Sequence, residues 1–220
     1  MNSVKIVTLG CSKNEVDSSC MMSILDKNRY SVENDPQKAD IIIVNTCGFI
    51  DAAKEESIDT ILQMAKYKET GSCKKMILSG CLAQRYPEEL LKEIPEADGI
   101  IGTGNINQIN DILDRSIDGE RVIKVDNINS PYLEGIKKEK VNITEYVKIS
   151  EGCNNNCSYC IIPKLRGKNR SRRIEDIYEE VSYLAKNGAR EIILIAQNTT
   201  DYGIDLYGRY SLSKLIKEIS

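Results

Sequence analysis

The chain has 220 residues, of which 41% are hydrophobic, and a net charge of −3 from 30 Lys and Arg against 33 Asp and Glu. That composition builds a core and excludes a disordered chain, and the length bounds one large domain or a medium one plus part of another. The acidic balance is a poor footprint for a general nucleic-acid binder. No apolar run approaches the roughly 18 residues of a membrane span, so neither direct nucleic-acid binding nor membrane association is expected.

Three short apolar runs rich in Ile, Val and Leu lead to cysteines: Val4 to Cys11, Ile41 to Cys47 and Met76 to Cys81. Such runs read as strands buried on both faces of a parallel sheet. Glu15 to Leu25 and Ala52 to Ala65 have helical periodicity between them. Tyr86 to Ile94 is predicted as helix, Gly99 to Gly102 as a short strand, Ile106 to Ile117 as helix and Arg121 to Val125 as a closing strand. Alternating strands and helices define a doubly wound α/β domain over residues 1–125. Residues 126–142 carry Pro131, Gly135 and the charged run from Lys137 to Lys140 without periodicity, and read as a linker. A second region, 143–220, opens with the strand Thr144 to Ile149. It continues through an amphipathic helix, Ile174 to Lys186, with Ile177, Val181 and Leu184 on one face. The strand Glu191 to Ala196 follows, then a helix beginning at Ser211. A full eight-unit barrel takes roughly 250 residues, so this region is expected to be a fragment of something larger.

Between the first strand and helix of that region lie Cys153, Cys157 and Cys160, spaced Cys-x3-Cys-x2-Cys, in a chain with no histidine. A four-iron, four-sulphur cluster takes cysteine thiolates, normally four; three leave one iron open to a ligand that is not protein. Structural zinc normally closes four ligands, and only the second gap here has the common zinc spacing. A disulfide framework needs an oxidising compartment, whereas Met1 to Lys5 does not resemble a signal peptide. A reducing cytoplasm and a cluster are therefore the favoured reading over zinc or inert thiols. Cys11, Cys47 and Cys81 form a second candidate triad. In a doubly wound sheet the carboxyl ends of the strands line one crevice, so these three are expected to converge, the alternative being independent strand-end cysteines packed as small hydrophobes. Cys20 and Cys73 do not share that placement and read as structural.

The stretches Thr8 to Asn14, Val44 to Asp51, Cys160 to Lys168 and Ile193 to Gly203 resemble those of the radical S-adenosylmethionine (SAM) methylthiotransferases. The likeness covers essentially the whole chain. It is strongest to the branch that modifies an aspartate of ribosomal protein S12, rather than to the tRNA-modifying branches. The resemblance implies that residues 143–220 are the first βα units of a partial (β/α) barrel. It also implies that the rest of the barrel and a C-terminal RNA-binding-type β-barrel domain are missing from this chain. Two [4Fe-4S] clusters are implied. Cys153, Cys157 and Cys160 would hold the one that binds SAM, and Cys11, Cys47 and Cys81 one that carries the sulphur destined for the substrate. Ribosomal protein S12 is the implied substrate and a flavodoxin or ferredoxin the implied electron donor. Tyr159, Ile161, Pro163 and Arg166 would lie at the SAM site, joined by Gln197 and Asn198 at the exit of the second barrel strand. Tyr159 has loop packing as its alternative reading, and Gln197 and Asn198 are equally readable as turn residues. Lys164, Arg166, Lys168, Arg170, Arg172 and Arg173 read either as a solvated face or as a site that captures a carboxylate or phosphate.

Overall fold

The computed structural model describes residues 1–131, 134–138 and 140–220. It forms two compact units, Met1–Ile128 and Asn129–Ser220.

The first unit is built on six strands, β1 (Asn2–Thr8), β2 (Tyr30–Val32), β3 (Ile41–Thr46), β4 (Lys75–Ser79), β5 (Gly99–Ile101) and β6 (Val122–Lys124). All pair in parallel, in the order β2-β1-β3-β4-β5-β6. Every residue of β3 is buried, which is why its sequence is continuously apolar up to Asn45 instead of alternating. The helices are α1 (Ser12–Ile24), α2 (Asp51–Ala65), α3 (Tyr67–Thr70), α4 (Gly80–Arg85), α5 (Pro87–Glu93) and α6 (Ile109–Ile117). Pro87 opens α5 at a position where its missing N–H costs nothing. In α6 the buried Ile109, Ile112, Leu113 and Ser116 fall on one helical face. One core cluster joins Ile42 and Val44 of β3 to Met76 and Leu78 of β4, Ile61 and Met64 of α2, and Leu90 of α5.

Several details differ from the sequence reading, two of them near the cysteine-bearing edge and the sheet margin. β2 is a three-residue edge strand, too short to show a period. Cys81 does not end a strand: β4 stops at Ser79, and Cys81 lies in the first turn of α4.

The second unit contains β7 (Thr144–Lys148), β8 (Ser150–Glu151), β9 (Arg170–Ser171) and β10 (Glu191–Ile195). Its helices are α7 (Ile162–Arg166), α8 (Ile174–Lys186), α9 (Ile204–Tyr207) and α10 (Leu212–Ile219). β7 and β10 pair in parallel, from Thr144 opposite Glu191 to Lys148 opposite Ile195. α8 makes the crossover, burying Ile174, Ile177, Val181 and Leu184. β8 and β9 form a short antiparallel pair. Of the segment read as a linker, Tyr132, Leu133 and Glu139 lie outside the described residues. Its later part is tied to the second unit: the Gly135 N–H donates to Asp176 at 2.9 Å and Tyr183 O–H to the Lys138 carbonyl at 2.9 Å. Among the described residues, no helix is long and apolar enough to cross a membrane.

Candidate functional site

The sheet order places β1, β3 and β4 side by side, and the direction of winding reverses between β1 and β3. That reversal is where an open α/β sheet forms its ligand crevice, outside the carboxyl ends of the strands. Cys11, Cys47 and Cys81 each follow one of these ends within three residues. Three glycines let the loops approach. A Cβ added at Gly10, which has φ +86°, would lie 2.7 Å from the Cys47 Cβ and 3.0 Å from its Sγ. One added at Gly48 would lie 2.8 Å from the Leu82 Cα and 3.1 Å from the Cys81 carbonyl carbon. At Gly80, with φ +88°, it would meet the Thr46 carbonyl oxygen at 2.3 Å and Asn45 Oδ1 at 2.4 Å. The loop of Cys47 is thus in contact with the loops of both Cys11 and Cys81. Cys11 is exposed, Cys47 half-buried and Cys81 buried.

In the second unit the cysteine loop leaves β8 and enters α7. Its base is closed by the Cys153 N–H donating to the Gly167 carbonyl at 3.0 Å. A Cβ at Gly152, φ +77°, would strike the Lys168 carbonyl oxygen at 2.1 Å, so only glycine permits this approach. The Asn155 N–H donates to Cys153 Sγ at 3.4 Å, and the Cys160 N–H to the Cys157 carbonyl at 3.0 Å. Cys157 is exposed, with Cys153 and Cys160 half-buried.

Beneath the loop lies a charged core that the sequence reading missed. Glu151 is buried and accepts from Lys148 Nζ at 2.6 Å, from an Arg166 guanidinium nitrogen at 3.1 Å and from the Gly152 N–H at 3.1 Å. Burial alone would raise its pKa; the charges of Lys148 and Arg166 outweigh that and hold the carboxyl well below the usual range. The six cations of 164–173 accordingly do not form one solvated face. Arg166 and Arg172 are buried, Arg172 pairing with Asp176 and with Glu180. Arg173 pairs with Glu134 at the surface, and Lys164 and Lys168 are exposed.

The remaining expected residues scatter around the loop. Tyr159 is 88% exposed, so it does not pack the loop. Ile161 caps the start of α7, and Pro163 lies in its first turn. Gln197 and Asn198 follow β10, and Asn198 Oδ1 accepts from Thr200 Oγ1 at 2.8 Å in a local turn. Cys20 is half-buried on α1, while Cys73 is buried and its thiol donates to the Lys75 carbonyl at 3.3 Å.

Among the described residues, no three His, Cys, Asp or Glu side chains gather closely enough to hold a single metal ion. A polynuclear cluster binds each thiolate on a different iron and so asks for a wider spacing than one ion does. Three thiols on touching loops, with no histidine or carboxylate among them, suit that donor set.

Both units match described families. The Radical SAM superfamily matches residues 147–219, and Uncharacterized protein family UPF0004 matches residues 3–102. Together the two matches span most of the chain, and its relatives are methylthiotransferases by name. The ribosomal protein uS12 methylthiotransferase RimO of Clostridioides difficile (strain 630) is 49% identical over 222 aligned positions, covering 100% of this chain and 50% of that protein. The protein of the same name from Clostridium acetobutylicum is 50% identical over 219 positions, covering 98% and 48% respectively. The chain spans about half the length of the curated relatives it matches. Among solved structures, the radical SAM methyltransferase TsrM from Kitasatospora setae, with tryptophan substrate and a SAM analogue bound, superposes with a TM-score of 0.65. That match has 11% identity and covers 99% of this chain and 50% of TsrM. At that identity the likeness is one of fold alone.

Proposed function

We propose that this chain is the cluster-bearing part of a radical SAM enzyme that adds a methylthio group to an aspartate side chain of ribosomal protein uS12. The observation that carries it is the contact of the Cys47 loop with the loops of Cys11 and Cys81 at the carboxyl edge of β1, β3 and β4, in a chain whose second unit holds the Cys153–Cys160 loop. The relatives with 49–50% identity support the substrate.

Cys153, Cys157 and Cys160 would hold one [4Fe-4S] cluster and Cys11, Cys47 and Cys81 another, each with one iron left open. When bound, the first of these with SAM supplies a 5′-deoxyadenosyl radical for hydrogen abstraction, and the second supplies the sulphur. The protein's own part is orientation. Glu151 ties the strand before the loop to the helix after it, through Lys148 and Arg166. Exposed Tyr159 offers an aromatic face to adenine, with Ile161 and Pro163 beyond it. Lys164 and Lys168 place positive charge beside the loop for an anionic group, and Gln197 and Asn198 offer amides to the amino-acid end of SAM. No proton transfer to an imidazole is needed, in keeping with a chain lacking histidine. Residues 1–125 form the sulphur-carrying domain and 143–220 the start of the barrel, in the cytoplasm, with a flavodoxin or ferredoxin as electron donor.

Anaerobic reconstitution with iron, sulfide and zinc counted together is the test, with about eight irons per chain expected for two such clusters. Cys47→Ala should remove about four and leave deoxyadenosine release from SAM intact, whereas Cys157→Ala should abolish release. Loss of release in a folded Cys47→Ala chain would refute the division of labour. Mass spectrometry of an S12 peptide, beside an unmodified tRNA, then reads which substrate gains the methylthio group.

A further inference from the structure

The thiols of Cys11, Cys47 and Cys81 sit just past strand ends, where the sheet's own hydrogen bonding stops. The last rung between the first two loops is the Leu9 N–H donating to the Asn45 carbonyl at 2.9 Å. Beyond it the backbone is held by side chains. Asn14 is completely buried, and its Nδ2 donates both to the Leu9 carbonyl at 2.8 Å and to the Thr46 carbonyl at 3.0 Å. One amide therefore joins the loop of Cys11 to the loop of Cys47. Thr46, also completely buried, donates its hydroxyl to the Ser79 carbonyl at 2.5 Å and accepts from the Ala83 N–H at 3.3 Å. One hydroxyl therefore joins the loop of Cys47 to the strand end and helix start that flank Cys81. The Ser57 hydroxyl, reaching in from α2, accepts from the Cys47 N–H at 3.0 Å and donates to the Cys47 carbonyl at 2.9 Å.

Burying polar side chains costs desolvation unless their hydrogen-bonding groups are satisfied. Here three of them link the thiol-bearing loops pairwise, or clamp the central cysteine itself, at one edge of the sheet. We infer that Asn14, Thr46 and Ser57 are positioning residues for the Cys11–Cys47–Cys81 triad, setting the separation and orientation of its three thiols. This rests on the reading of that triad as a cluster site. Asn14 needs both amide protons, because a carboxylate would present only acceptors to two carbonyls. Thr46 needs its hydroxyl, and its methyl group only fills space.

The test uses the full chain carrying Cys153→Ala, Cys157→Ala and Cys160→Ala, so that bound iron reports on the first triad alone. Thr46→Val keeps volume and branching, Thr46→Ser keeps the hydroxyl, and Asn14→Asp keeps shape without the N–H donors. Circular dichroism of the iron-free chains reports whether each is folded. Folded Thr46→Val and Asn14→Asp are expected to lose iron to a chelator about 10-fold more readily than the background chain, as for other residues that orient metal ligands. The iron they keep should show a shifted midpoint potential and an altered electron paramagnetic resonance line shape, which a change in fold stability alone would not produce. Thr46→Ser should behave as the background. Unchanged retention, potential and line shape in Thr46→Val and Asn14→Asp would overturn the inference while leaving the cluster reading standing. So would a Thr46→Ser chain as impaired as Thr46→Val. A background chain that takes up no iron would overturn both.

Discussion

Replacing Glu151 by glutamine is expected to cost the chain about 3–5 kcal/mol of folding stability, the range for breaking a buried ion pair from one side. Lys148, Arg166 and Glu151 are all buried, and Glu151 is a counter-charge shared by both cations. Glutamine keeps the shape and can still accept a hydrogen bond, but it removes a negative charge that both buried cations share in a medium of low dielectric constant. For a unit of this size, 1 kcal/mol corresponds to roughly 4–8 °C in melting temperature. The second unit of Glu151→Gln should therefore melt about 12 °C or more below the parent in calorimetry of the iron-free chain. A double variant, Lys148→Met with Glu151→Gln, should recover part of the loss, because one buried cation goes with its partner. A drop of only a degree or two in the single variant would mean that water reaches the pair, and that the loop does not stand on a charged core.

Gly80→Ala is the second large effect. The residue has φ +88°, which costs a side-chain-bearing residue about 1–2 kcal/mol. The added Cβ would also stand 2.3 Å from a backbone carbonyl oxygen, which cannot swing away as the end of a flexible side chain would. Overpacking of that kind adds about 1–3 kcal/mol. Gly119 supplies the control: its φ is +94°, yet nothing lies within 4 Å of its added Cβ. Urea unfolding should show Gly119→Ala losing only the conformational part, about 1 kcal/mol, and Gly80→Ala losing two to three times as much. Equal losses would show that the close approach of the Cys47 and Cys81 loops carries no packing constraint.

What could be read from the sequence depended on whether its cause was local. The runs at Val4, Ile41 and Met76 announce buried parallel strands because both of their faces are covered, and α8 announces itself through Ile177, Val181 and Leu184. The convergence of Cys11, Cys47 and Cys81 on one edge follows from strand–helix alternation alone. The placement of Cys81 within α4 did not, because the glycine before it reads as a turn whether a loop or a helix follows. Glu151 was invisible for a different reason. A glutamate three residues after a lysine looks like a surface pair, and only the fold brings Arg166 to it and closes off water. Asn14, Thr46 and Ser57 likewise resemble ordinary helix and strand residues until the backbone groups they serve are in place. The cation run misled in the same way, since Arg166 and Arg172 are occupied within the unit and only part of the run reaches the surface.

The separation of the first triad along the chain has a kinetic side. Cys11, Cys47 and Cys81 are 36 and 34 residues apart, whereas Cys153, Cys157 and Cys160 are separated by 4 and 3. In an unstructured chain each of the long closures costs roughly 2 kcal/mol more in loop entropy than its short counterpart. The later cysteines are therefore neighbours from the moment they are made. The earlier ones, although synthesised first, become neighbours only once β1, β3 and β4 have found their register. Sequence order and the order of assembly thus run in opposite directions.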